Sequence, residues 1–282
     1  MRAVQETINL IRIRRELGIA GQRRTMPRQK MPKLMMMEYG KALDALVVAP
    51  MRSVMAPLLE ELPRLIAAAN RERMDAGEGK RARDLVDQAR RKLEQIVKPE
   101  AVEKIASQFA SRFSTANRIQ LSKQVRAALG TDVFINDRRL ARVVDGFLHH
   151  NVALIKDVPA ELASNIEKAV QNALTSGTLH GDLAKTLEDK FGFAEDRAAR
   201  IARDQIGKLY GQINAARQKD LGIRRFTWRT TGDEKVRDEH EEREGEVYSY
   251  DDPPDGELPG EPINCRCTAD PVFEDILAAL ED

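Results

Sequence analysis

Apolar residues recur every three or four positions over most of this chain, and that period changes abruptly after Gly222. Between 195 and 221, Ala198, Ala202, Ile206, Leu209, Ile213 and Ala216 line one helical face, and Gly222 supplies a stop. In Arg225–Thr230 apolar and polar residues alternate instead, with Phe226 and Trp228 on one side and Arg225 and Arg229 on the other. That is the period of a strand. The expected fold class is therefore mostly α, an elongated helical N-terminal region followed by a small α/β C-terminal domain.

The upstream pattern subdivides further. Pro50, Pro57 and Pro63 are expected to break 38–70 into short segments. Residues 71–83, with Asp75, Gly77 and Gly79, read as a polar connection. Leu85, Ala89, Leu93 and Ile96 predict a helix ended by Pro99, and Val102, Ile105, Phe109 and Phe113 predict the next. Leu121, Val125 and Leu129 continue that pattern to Gly130, a C-cap. Separate helices are expected at 139–156, 160–176 (stopped by Gly177) and 182–190.

Downstream, 233–244 is helix-competent, and Val247–Tyr250 is a second strand candidate. Residues 251–262 hold four prolines and two glycines and read as an irregular loop. Ile263, Cys265 and Cys267 would share one face of a third strand, and Ile276, Leu277 and Leu280 a short terminal helix. The expected organisation is an arm at 1–33, a helical region at 34–192, a domain at 193–272 and a tail at 273–282.

Charge separates these segments, although the whole chain carries a formal net charge of only +1. Residues 1–33 hold nine basic and two acidic residues, 195–230 nine basic and four acidic, and 233–261 three basic and thirteen acidic. The overall balance argues against a polycation spread on nucleic acid, while the arm and the 195–230 helix remain a candidate contact for packaged double-stranded DNA. The arm has no aromatics for base stacking. Met26, Met31, Met35, Met36 and Met37 cluster around Pro27 and Pro32. They either dock on another chain or pack on this chain's own first helix, and the arm is expected to order on a partner.

No apolar run approaches about 18 residues, so no membrane segment is expected. The N-terminal apolar stretch is broken by Asn9 and Arg12, unlike a signal peptide. Two cysteines cannot form a disulfide framework, which points to a reducing cytoplasm.

Phosphate loops, G-x-S-x-G and H-E-x-x-H patterns are missing from the sequence. The adjacent His149 and His150 would point about 100° apart on a helix, which suits surface residues better than co-ligands. His180, before Gly181, reads as part of a turn.

The dense constellation lies near the C-terminus. Asp233, Arg237 and His240 are spaced four and three, one face if helical, and Cys265 and Cys267 could meet them from a strand. Three readings compete. His240, Cys265, Cys267 and Asp233 have residue types that suit zinc, although C-x-C is a weaker spacing than C-x-x-C. A cysteine activated by His240, with Arg237 stabilising charge, would make a hydrolase or nuclease. In the third reading the cysteines are core thiols, Asp233 or Glu234 pairs with Arg237, and His240 bonds the proline loop.

These residues resemble the Mu F-like minor head proteins of tailed bacteriophages, the phage head morphogenesis domain. The resemblance runs through Ile201-Ala202-Arg203-Asp204-Gln205, Leu221-Gly222-Ile223 and Phe226-Thr227-Trp228-Arg229-Thr230. It continues through Asp233 to His240 with Arg237, Gly245, Pro259-Gly260 and Asn264-Cys265-Arg266-Cys267. It is firm over about 150–272, where Asn151 to Pro159 is similar to the segment preceding the domain. The spacing Arg-Thr-Thr-Gly-Asp after Trp228 departs slightly from the family's pattern. The resemblance implies a low-copy head protein, not an established enzyme. It would associate with portal protein and major capsid protein in the virion, be assembled in the host cytoplasm, and act in head assembly and in DNA packaging or ejection.

Overall fold

The computed structural model describes residues 27–71, 76–130, 137, 140–176 and 180–273. Helices dominate: α1 (Lys33–Leu43), a π turn at Asp44–Val48, α2 (Ala49–Arg71), α3 (Ala76–Ile96), α4 (Pro99–Leu129), α5 (Leu140–Ser176) and α6 (His180–Asp220). Strands β1 (Arg225–Arg229), β2 (Val247–Ser249) and β3 (Thr268–Pro271) follow, with the one-turn helix α7 (Asp238–Glu241) between β1 and β2 and a 3-10 turn at Pro254–Gly256. The expected class, long helices followed by a small α/β unit, is the one observed.

Several expected breaks are not breaks. Pro57 and Pro63 lie inside α2, and Pro159 lies inside α5, so 139–156 and 160–176 are one helix. The 182–190 and 195–221 segments likewise merge into α6. Each internal proline forfeits a backbone hydrogen bond. In α2 that loss is offset by a continuous buried face of Met51, Met55, Leu58, Leu62 and Ile66, because burying each such side chain is worth about 1.5–3 kcal/mol. Pro50 sits just after the π turn, where the regular bonding is already interrupted. The polar connection expected at 71–83 is shorter, since α3 begins at Ala76. The terminal helix expected after Pro271 lies outside the described residues beyond Phe273, as do residues 1–26 of the arm.

The stretch Lys33–Arg71 is long and apolar enough to cross a membrane by length and composition, with an 18-residue window of mean hydropathy 1.5. The sequence reading missed it because charged and polar residues interrupt every strictly apolar run. A third of that window is buried, and within it α2 packs along α3.

The chain divides into two compact units, each built from segments that are not consecutive in sequence. One contains Met37–Ala106 and Leu148–Ala202. Here α2 packs along α3, whose Ala82, Val86, Ala89 and Leu93 are buried. Tyr39 accepts a hydrogen bond from buried Asn151 at 2.5 Å, and ion pairs join Arg52 to Glu195 and Arg197 to Glu161.

The other unit contains the described residues of Met1–Met36, Ser107–Phe147 and Arg203–Asp282. Its antiparallel sheet has the order β2-β1-β3, with Phe226 opposite Tyr248 and Pro271, and Trp228 opposite Ala269. Helix α6 ends as its glycine predicts. Gly222 has φ +86°, and the Ile223 N–H reaches back to the Gln218 carbonyl at 3.0 Å. Gly130, with φ +70°, closes α4 in the same left-handed conformation.

The core joins Leu121 and Val125 of α4 and Ala215 of α6 to Phe226, Trp228, Tyr250, Cys265, Cys267 and Ala269. The open edge of β3 is covered by α6, because Asn214 and Gln218, one turn apart, both donate to the Ala269 carbonyl at 2.7 and 2.9 Å. Arg217 between them is fully buried. Its guanidinium reaches Asp137, Asn117 and the carbonyl and hydroxyl of Ser114.

Residues 27–31 of the expected arm are part of this unit rather than a free tail. The Gln29 N–H donates to Asp270 Oδ1 at 2.7 Å, and Gln124 donates to the same oxygen at 2.9 Å and to the Pro27 carbonyl. Tyr210 donates to the Gln29 side chain at 2.7 Å, and Arg229 pairs with Asp270 Oδ2. Met31 and Met36 are buried while Met37 is exposed, so two of the methionines pack on their own chain.

Candidate functional site

The motif residues converge, but not as one helical face. Residues 233–237 form turns, and only Asp238–Glu241 is helical. Asp233 makes a bidentate ion pair with Arg266 at 2.5 and 2.6 Å, replacing the expected pairing with Arg237. Arg237 donates instead to the Ile263 carbonyl at 2.7 Å. The reason is distance along the chain: Ile263–Arg266 doubles back over the 233–240 turn and presents a carbonyl and a guanidinium that local spacing cannot anticipate.

The third strand expected through Ile263, Cys265 and Cys267 is also absent. The strand starts at Thr268, and Ile263 is exposed while both cysteines are buried. Asn264 breaks the alternation with φ +57°, a left-handed conformation that asparagine tolerates. Asp204 of α6 holds that turn by accepting the Asn264 N–H at 3.0 Å while its other oxygen pairs with Lys208. Asp204, Arg237 and Asp233 thus grip three successive points of the loop leading to the cysteines. Arg203, by contrast, is exposed on α6.

The glycine and proline positions explain themselves by close approach. Gly260 has φ +98°, and a Cβ there would lie 2.8 Å from the Gly207 carbonyl oxygen. A Cβ on Gly211 would lie 2.4 Å from the Pro259 carbonyl oxygen, and one on Gly207 would lie 3.0 Å from the Cys265 carbonyl oxygen. The sequence reading missed Gly207 and Gly211. Their signal was the G-x-x-x-G spacing that puts both on one face of α6. Gly245, φ +88°, forms a bulge with Glu246 opposite Trp228, donating to the Trp228 carbonyl at 2.9 Å.

At the centre, His240 Nδ1 lies 3.6 Å from Cys265 Sγ and 3.6 Å from Cys267 Sγ. The expected bond from His240 to the proline loop is replaced by this pair of sulfur contacts. The three ligating atoms lie within 4.8 Å of one another, and all three residues are buried. Trp228 meets the imidazole edge-on with centroids 5.2 Å apart, and Arg243 lies over the indole. The cluster lines a small cavity of about 100 Å³ together with Thr231, Lys235, Val236, Arg237, Ile263, Asn264 and Arg266.

Burial, with Arg237 and Arg243 nearby, pushes the His240 pKa down and favours neutral imidazole. The Cys265 thiol is brought down to about 7, chiefly by a hydrogen bond from the Cys267 thiol, while Cys267 is pushed up for the same reason. Arg266 holds the Asp233 carboxyl down at about 2. His149 and His150 are exposed on α5, away from its ends, and His180 begins α6 rather than a turn.

Comparison with known proteins places this geometry. Residues 164–270 match the family model described as phage Mu protein F like protein. An uncharacterized protein of Haemophilus influenzae is 33% identical over 187 residues, 65% of this chain and 42% of that relative. The chain thus spans less than half the length of the curated relative it matches. No solved structure matches. The motif positions gathered around His240, Cys265 and Cys267 fall within residues 164–270, the segment that is similar to the phage Mu protein F like family.

Proposed function

We propose that the chain is a minor head protein of a tailed bacteriophage, a low-copy structural component of the virion. It is assembled in the host cytoplasm, associates with the portal and major capsid protein, and takes part in head assembly and DNA packaging or ejection. The match of 164–270 to the phage Mu protein F like family carries this reading. The site geometry supports a structural part: Asp204, Asp233 and Arg237 are spent on holding one loop.

The hydrolase or nuclease alternative is less well supported. Cys265 and Cys267 are buried, and one imidazole nitrogen faces both sulfurs instead of activating one. For the DNA reading, Arg197, Lys208, Arg217, Lys219 and Arg229 of the 195–230 stretch already pair with acids. DNA binding measured across salt should accordingly show at most a shallow slope, whereas a steep one would restore that reading.

Quantitative mass spectrometry of purified DNA-filled particles tests the main proposal. Copies at or below the number of portal subunits are expected. Absence from particles, or a copy number like that of the major capsid protein, would overturn it.

A further inference from the structure

We propose that His240 Nδ1, Cys265 Sγ and Cys267 Sγ bind one zinc ion, with water at the fourth, open position, and that the ion links α7 to the loop before β3. Zinc–sulfur bonds of about 2.3 Å and zinc–nitrogen bonds of about 2.0–2.1 Å set at tetrahedral angles give a sulfur–nitrogen edge of about 3.6 Å. Both sulfur–nitrogen separations are 3.6 Å. The protein presents three corners of the tetrahedron, and the adjoining cavity of about 100 Å³ has room for the water.

The donor set selects the metal. Two sulfurs and an imidazole suit zinc and reject calcium or magnesium, which take oxygen. C-x-C suffices because the fold supplies what spacing does not. Arg266, between the cysteines, turns outward to Asp233, so its neighbours turn inward together.

The surroundings are those of thiolate ligands. The Cys267 N–H donates to Cys265 Sγ at 3.4 Å. Among the described residues the buried Trp228 indole N–H has no hydrogen-bond partner, and a thiolate in the same core would give it an acceptor. Arg237, which lines the same cavity and donates to a carbonyl rather than a carboxylate, offsets part of the negative charge of two thiolates. On binding, both thiol protons pass to solvent, so affinity rises with pH. Three short strands of five, three and four residues make a small sheet, and the ion would join α7 to the loop before β3.

The full-length chain, purified after expression with added zinc, should carry one equivalent by elemental mass spectrometry. Exchange to cobalt(II) should give visible bands of tetrahedral intensity and a near-ultraviolet band from sulfur–cobalt charge transfer. Cys265→Ser, Cys267→Ser and His240→Ala should each lose the stoichiometric metal. If these variants fail to fold, the unsubstituted chain still decides: cobalt should protect both thiols from alkylation. Metal-free protein that takes up no cobalt, cobalt bound without charge transfer, thiols alkylated equally with and without cobalt, or a Cys265–Cys267 disulfide would each overturn the proposal.

Discussion

Arg217 shows how much a single residue can hold together in the C-terminal unit. It is buried, its charge disfavoured there by desolvation, yet it ties α6 to α4 and to Asp137 through four partners. Arg217→Leu would strand the Ser114 carbonyl and Asn117 and is expected to cost roughly 3 kcal/mol, read by denaturant unfolding. Arg217→Lys should recover little, because an ammonium cannot reproduce the planar fork. Asp233 makes a different, pH-linked contribution. Its folded carboxyl titrates at about 2 because Arg266 holds it ionised, below the ordinary value of 3.8. The unfolded chain therefore takes up the proton first, and the contribution, complete above about pH 4, is lost as pH falls through 2. Asp233→Asn should flatten the acid limb of a Tm-versus-pH profile between those values and leave the neutral region less affected. An unchanged limb would show that the pair contributes nothing.

The elements are shaped by close approach and by burial more than by propensity. Helix α6 meets the 259–265 loop through Gly207 and Gly211, where backbone meets backbone. Gly211→Ala would drive its methyl into the Pro259 carbonyl, and a loss of about 1–3 kcal/mol is expected by thermal unfolding. The same substitution at Gly192, where a Cβ meets nothing within 4 Å, should stabilise α6 by up to about 1 kcal/mol. In α2 the exposed Pro57 forfeits a helix hydrogen bond. Pro57→Ala is expected to raise stability by roughly 1–3 kcal/mol, with the rise in Tm as the readout. A fall would mean that the proline shapes a surface the unit needs.

At the scale of the molecule, each compact unit is assembled from chain segments far apart in sequence. Gln29 and Asp270 are 241 positions apart and share a buried hydrogen bond. A chain beginning at Pro32 should accordingly lose about 1–3 kcal/mol in the C-terminal unit relative to one beginning at Pro27, because Asp270 would lose the Gln29 N–H and keep only Gln124 and Arg229. Equal unfolding curves for the two would show that this docking contributes nothing to the fold.

Local information by itself determined the helical periods, the left-handed ends at Gly130 and Gly222, the alternation of β1 and the motif set within 164–270, because these depend on neighbours a few residues away. It did not determine that α2, α5 and α6 run unbroken past Pro57, Pro159 and Gly192. There the burial of a continuous face outweighs a local cost, and burial is known only once the partner surface exists. Nor did spacing reveal the pairing of Asp233 with Arg266, the burial of Arg217 or the docking of Gln29. The types at His240, Cys265 and Cys267 suggested a metal, but their two equal 3.6 Å separations arise because a loop pinned by Asp204, Asp233 and Arg237 folds back 25 residues later. Only the tertiary structure decides a convergence of that kind, since it depends on where separate backbones meet and not on the order of residues along either one.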